Sequence, residues 1–134
     1  MSLSNFSENL ALNFLFNTSA VTRPTAWYVQ LHMTDPTDTG TAGTQPTITA
    51  GDYDRKTLGA TGLTTSTAST CNNPDAVSWT ANAAAATYTF THISIWDAVT
   101  NGNCLGAGPL AAPETVAANG VLTIPIGKII ATLD

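Results

Sequence analysis

Between Leu3 and Phe16 apolar side chains recur at helical spacing: Leu3, Phe6, Leu10 and Phe14, with Ala11 and Leu15 widening the stripe. Asn5 and Glu8 have the spacing of a capping box, and Ser2 and Ser4 are the other candidate caps. The pattern predicts one amphipathic helix within residues 1–17. Thr22-Arg23-Pro24 closes that region, because a residue preceding proline is pushed out of helical dihedrals. A lone helix has to bury its apolar stripe somewhere. The first reading is a lid on its own domain; the second is a contact between copies, with Phe6, Leu10 and Phe14 as the candidate assembly interface.

After Pro24 the period drops to two. Trp27, Val29, Leu31 and Met33 alternate with Tyr28, Gln30 and His32, which predicts a strand with its first set buried and its second set wetter. Asp35-Pro36 ends it. Residues 34–52 hold almost no large apolar side chain and are rich in Thr, Gly, Asp and Pro, so they predict a long surface loop exposing Asp35, Asp38 and Asp52. A short extended stretch around Tyr53 to Leu58 follows, and the Thr/Ser-rich run from Thr64 to Thr70 reads as edge strand.

The second half reads as successive strands. Val77-Ser78-Trp79 is short. Thr87 to Asp97 is long, and its apolar side switches near His92 from Tyr88 and Phe90 to Ile93 and Ile95, which predicts a bulge or burial on both faces. Asn101-Gly102 closes a hairpin into Cys104-Leu105, and Asn119-Gly120 closes another between Thr115-Val116 and Val121 to Ile124. Pro125 and Gly127 precede a last strand, Ile129 to Leu133. About eight short strands separated by turns imply a mainly β fold: a single antiparallel β-sandwich or jelly-roll-like domain with one N-terminal α-helix. The domain spans residues 1–134, with the helix in 1–17 and the sandwich, including loop 34–52, in 26–134.

Composition narrows function more than fold. Threonine occurs 24 times and alanine 20, while 4 basic residues stand against 9 acidic ones, for a net charge of −5. With Arg23, Arg55, Lys56 and Lys128 as the formal cations there is no basic stripe for a phosphate backbone, so nucleic acid is excluded as a partner. No apolar run approaches the ~18 residues of a membrane span, and the N-terminus lacks the basic start of a secretory signal. Membrane insertion is therefore not expected. Cys71 and Cys104 are too few for a disulfide framework and too far apart for a metal knuckle; a reducing cytoplasm favours thiols, with one bridge between facing strands as the other option.

Catalytic chemistry is missing by omission. His32 and His92 fall on predicted strands, and no nucleophile elbow, H-E-x-x-H pair, phosphate loop or dinucleotide fingerprint occurs. The expectation is a protein that is not an enzyme and has no catalytic residue, cofactor or metal. The acidic loop fits no EF-hand spacing, and calcium there is the minor reading. Asn17-Thr18-Ser19 matches a glycosylation acceptor, a pattern frequent by chance and irrelevant without secretion. Trp27, Trp79 and Trp96 are assigned to the core, with a carbohydrate platform as the alternative.

Particular residues carry a resemblance. Met1-Ser2-Leu3-Ser4-Asn5-Phe6-Ser7-Glu8-Asn9, Leu15-Phe16-Asn17-Thr18 and Tyr28-Val29-Gln30-Leu31-His32 leading into Asp35-Pro36 resemble the opening of small tail-fibre-type virion proteins of tailed bacteriophages. Thr91-His92-Ile93-Ser94-Ile95-Trp96-Asp97-Ala98, Gly102-Asn103-Cys104-Leu105, Gly108-Pro109-Leu110 and Ile124 to Asp134 extend it. It thins between Thr39 and Thr70, where Asp54-Arg55-Lys56 stands in place of a more apolar strand. The resemblance implies a virion structural protein, made in the bacterial host cytoplasm and assembled on the outside of the particle. A tail-fibre module is preferred, a capsid decoration or cement protein comes second, and a free carbohydrate-binding module third. The implied partners are other virion proteins of tail or capsid, further copies of the chain in a homo-oligomer such as a trimer, and a host-surface glycan.

Overall fold

The alternation around Leu31 and Ile95 produces the central pair of strands. In a computed structural model describing residues 1–48 and 52–132, β2 (Tyr28–His32) pairs antiparallel with β6 (Tyr88–Trp96), Leu31 opposite Ile93 and His32 opposite His92. The other elements are β1 (Ser2–Leu3), α1 (Asn5–Phe16), β3 (Lys56–Thr57), β4 (Thr70–Asn72), β5 (Val77–Thr80), β7 (Cys104–Val116), β8 (Val121–Ile124) and β9 (Ile130–Thr132). One five-stranded sheet runs β1-β7-β6-β2-β3, and two-stranded sheets are formed by β4 with β9 and β5 with β8. Thr49, Ala50 and Gly51 of the expected loop, and Leu133 of the expected last strand, lie outside the described residues.

The core is one cluster drawn from the large sheet and the β5-β8 pair. Val29, Leu31, Phe90, Ile93 and Ile95 meet Val77, Trp79, Leu122 and Ile124 there. In β5 and β8 strict alternation sends Val77, Trp79, Leu122 and Ile124 inward while Ser78 and Thr123 share an outward hydrogen bond of 2.8 Å. Tyr53 joins the same core, its ring edge-on to Tyr88 at 5.6 Å and tilted on Phe90 at 5.2 Å.

Several expectations hold in detail. The β6–β7 register shifts between Phe90 and His92, where Thr91 alone stands opposite Leu110 to Pro113 of β7, so the extra residues bulge from β7, and Ile93, Ser94, Ile95 and Trp96 are all buried beyond the shift. Asn101 and Gly102 take φ 54° and 75° in the β6–β7 hairpin. Both cysteines are free thiols, Cys71 on β4 and Cys104 at the start of β7.

Others are corrected. Gln30 and His32, expected on the wetter face, are 7% and 0% exposed, while Trp27 and Met33 are only partly buried. The second face of β2 is covered by Arg55, whose guanidinium lies 3.7 Å over the Trp96 ring and donates to Gln30 Oε1 at 2.8 Å and to the carbonyls of Ala98 and Asn101. The loop after β2 also folds back onto this face. Gly40, at φ 73°, is packed so closely that a Cβ would lie 2.7 Å from Cys104 and Trp96, and Pro36 is buried. The end of that loop is not exposed either: Asp52 is 5% exposed, because the next residue, Tyr53, enters the core. Residues 104–116 form one long strand instead of two short ones, and Asn119-Gly120 links β7 to β8, which lie in different sheets. The Thr64 to Thr70 run is irregular up to an isolated bridge between Thr67 and Thr70, which closes a turn with Ala68 and Ser69 at φ 51° and 58°, and β4 begins at its last residue.

Candidate attachment surface

A single turn anchors α1. Ser4 caps it, its hydroxyl accepting from the Ser7 amide at 3.2 Å and donating to the Cys104 carbonyl. The Leu105 carbonyl accepts from the Ser4 amide at 3.2 Å and from the Ser7 hydroxyl at 2.7 Å. That carbonyl is available because the β6–β7 register shifts a second time between Ile95 and Trp96, which leaves Leu105 out of the Cα pairing with β6. Just before the helix, Ser2 and Leu3 pair with Ala107 and Gly106. The approach demands glycine, since a Cβ on Gly106 would sit 2.7 Å from the Ser2 carbonyl oxygen. Glu8 lies in the first turn, where a carboxylate complements the helix dipole.

Beyond this anchor the helix covers little, with only Leu10 and Ala11 half-buried. Its main contacts are with β1 and β7, and none of its residues is buried. The lid reading is therefore overturned. Of the candidate interface residues, Leu10 is half-buried, while Phe6 is 36% and Phe14 72% exposed. Leu12, Leu15 and Phe16 are exposed at 55%, 64% and 80%. Leu12 and Phe16, one helical turn apart, were not part of the stripe read from periodicity; with them, apolar side chains run round the whole helix. The signal available in the sequence was the lack of any charged side chain from Asn9 to Phe16. A helix that is apolar on all sides belongs in a buried setting.

Beside α1 runs an open apolar groove of about 290 Å³, lined by Leu3, Leu10, Trp27, Leu63, Cys71 and Leu105 among others, with no charged side chain. An adjoining recess of about 390 Å³ shares Leu3, Cys71 and Ala131 with it.

The residues weighed for chemistry are placed differently. His32 Nε2 lies 2.6 Å from Ser94 Oγ, the spacing of a base and its nucleophile, but both residues are 0% exposed, so no substrate reaches them. Trp96 Nε1 donates to the same Ser94 oxygen at 2.7 Å. Burial chiefly, then the neighbouring His92 and Arg55, lowers the His32 pKa to about 4 against a weaker raising effect of Asp35. Burial also pushes the Cys104 thiol up, away from thiolate reactivity. Asp35 and Asp38 are exposed on the loop, where Asp35 accepts from the Thr37 amide at 2.8 Å, whereas Asp52 is buried. The three acidic candidates thus do not share one exposed face, and the described residues hold no cluster of three metal-ligating side chains. Trp79 is buried with its Nε1 donating to the Asp54 carbonyl, Trp96 lies under Arg55, and Trp27 is half-buried in the groove wall. No row of bare indole faces forms a sugar platform. No described helix is long and apolar enough to cross a membrane.

The family model described as "Podophage GP4 fiber I protein gp80" matches residues 2–132. A search of the curated proteins finds no match.

Proposed function

Because the chain belongs to the podophage GP4 fiber I protein gp80 family, and is thus a tail-fibre-type structural protein of the virion, we propose that it acts without catalysis, as a single-domain module held in place through α1. Membership of a fibre family supports the fibre reading over capsid decoration, and it implies contact with other virion proteins. The observation that carries the proposal is the helix itself. Four large apolar residues, Leu12, Phe14, Leu15 and Phe16, are 55–80% exposed on an element fastened to the sheet only at its base. Burying a Phe or Leu side chain is worth about 1.5–3 kcal/mol, so leaving four in water is a cost that assembly removes. The candidate partners are further copies of this chain in a homo-oligomer and the neighbouring virion proteins. The Thr-rich loop with Asp35 and Asp38 would then face outward, towards a host-surface glycan.

The test is incorporation into particles assembled without the protein. A Phe14→Ser/Phe16→Ser variant touches no core residue, so it folds with the parent circular dichroism spectrum and melting temperature. The expected result is that particles take up the parent and not the variant. Equal copy numbers per particle would refute docking through α1.

A further inference from the structure

Asn-Gly occurs twice in the chain, and both pairs sit in turns with the asparagine at positive φ, 54° at Asn101 and 61° at Asn119. We infer that Asn101 is a site of covalent modification, losing its side-chain amide to the Gly102 nitrogen in the folded protein, while Asn119 is held intact. The chemistry needs no enzyme. The Gly102 nitrogen gives up its proton to solvent base and attacks Asn101 Cγ; an N–Cγ bond forms, the Cγ–Nδ2 bond breaks, and the amide leaves as ammonia. Water then opens the cyclic imide at either carbonyl, leaving an aspartyl or an isoaspartyl residue with a new carboxylate. Glycine after the asparagine leaves the attacking nitrogen unshielded and the peptide free to swing towards Cγ.

The fold imposes the labile pair. Gly102 takes φ 75°, and a Cβ there would meet the Asp97 carboxylate and lie 2.7 Å from Ala98 Cβ, so the position requires glycine. Residue 101 must also hold a left-handed backbone, which asparagine tolerates better than most side chains. Hydrogen bonding is what separates the two pairs. The Gly120 amide donates to the Ala117 carbonyl at 2.8 Å, the Asn119 amide to the Asn82 carbonyl at 3.2 Å, and the Gly120 carbonyl accepts from the Ala81 amide at 2.9 Å. Attack by the Gly120 nitrogen breaks the first of these and strains the others. The Gly102 amide has no acceptor among the described residues, and both Asn101 and Gly102 are exposed. The tether on that peptide is at its other end, where Arg55 Nη1 donates to the Asn101 carbonyl at 2.6 Å. Arg55 thus governs how often the peptide swings. The dependence runs both ways: an isoaspartyl linkage adds a methylene to the main chain, moves that carbonyl off the guanidinium and loosens the cover over Gln30 and Trp96.

Rates at the two asparagines test this. Purified protein is incubated in mildly alkaline buffer and digested after glutamate, and cleavage at Glu114 puts Asn101 and Asn119 on different peptides. Mass spectrometry reads the gain of an amide turned carboxylate; fragmentation locates it and separates isoaspartate from aspartate. Each hydrogen bond that must open slows the reaction severalfold, so Asn101 should convert roughly tenfold or more faster than Asn119. In urea the two should convert at similar rates. Arg55→Lys should speed conversion at Asn101 and leave Asn119 unchanged, with folding confirmed by circular dichroism. Equal rates in the folded parent, faster conversion at Asn119, or a contrast that persists in urea overturns the inference, whether or not Arg55→Lys folds. Folded Arg55→Lys protein that converts Asn101 no faster than the parent overturns the role of Arg55 as the tether.

Discussion

Lowering the pH should loosen this fold through one side chain, His32. It sits at 0% exposure at the end of β2, Nε2 on the Ser94 hydroxyl and Nδ1 facing no acceptor among the described residues. An imidazolium donates from both nitrogens. Protonation would thus place a charge out of water, one N–H unsatisfied, near the Arg55 guanidinium and His92, with only Asp35 opposing. Its pKa falls from the ordinary 6.5 to about 4 in the folded chain. Between those values the unfolded chain binds a proton that the folded chain refuses, so stability drops as pH falls through 6.5 and levels off below about 4. At about 1.4 kcal/mol per pKa unit, the loss is about 3 kcal/mol, a large share of the ~5–15 kcal/mol that holds an ordinary domain together. Carboxylates titrate in the same range, and a His32→Gln variant separates their effect. Urea unfolding followed by tryptophan fluorescence at pH 7.5 and pH 4 should show the parent losing about 3 kcal/mol more than His32→Gln over that interval. Whatever His32→Gln costs at pH 7.5 cancels from this difference. Parallel stability curves for the two proteins would refute the assignment.

Two further substitutions probe the covered second face of β2. Arg55→Lys keeps the charge but loses the planar stack on Trp96 and the fork that reaches Gln30, Ala98 and Asn101, so it should destabilise by about 2 kcal/mol in urea and raise acrylamide quenching of Trp96. Gly40→Ala puts a Cβ against Cys104 and Trp96 at φ 73°; the left-handed cost of about 1–2 kcal/mol adds to overpacking, and the Cys104 thiol should become faster to alkylate.

Much of the fold was legible where periodicity met punctuation. The period of two around Leu31, the apolar switch at His92 and the Asn101-Gly102 turn are local patterns, and each found its counterpart in the structure. Gln30 and His32 were misread because alternation says which side chains share a face and nothing about what covers it. Their face is covered by Arg55, which bonds Gln30 and stacks on Trp96, and by the returning loop, whose Gly40 packs on Trp96 and Cys104, and neither residue carries an apolar signal. Asp52 was misread for a related reason: a polar run identifies a loop but not the point at which Tyr53 draws it into the core. The candidate site was half legible. Phe6, Leu10 and Phe14 stand out by spacing, while Leu12 and Phe16 fall outside the single stripe that helical periodicity marks.

By itself the sequence determined a strand-rich, acidic chain without recognisable catalytic motifs, most of its turns, and a short N-terminal helix, because these follow from interactions within a few residues of one another; which of Ser2, Ser4 and Asn5 caps the helix was decided for Ser4 by the structure. Tertiary structure alone decided that the helix is no lid. A bulge at Leu105 frees one carbonyl to hold the first turn of α1, Gly106 lets β1 approach, and these long-range contacts leave the distal turns, with Phe14 and Phe16, facing water.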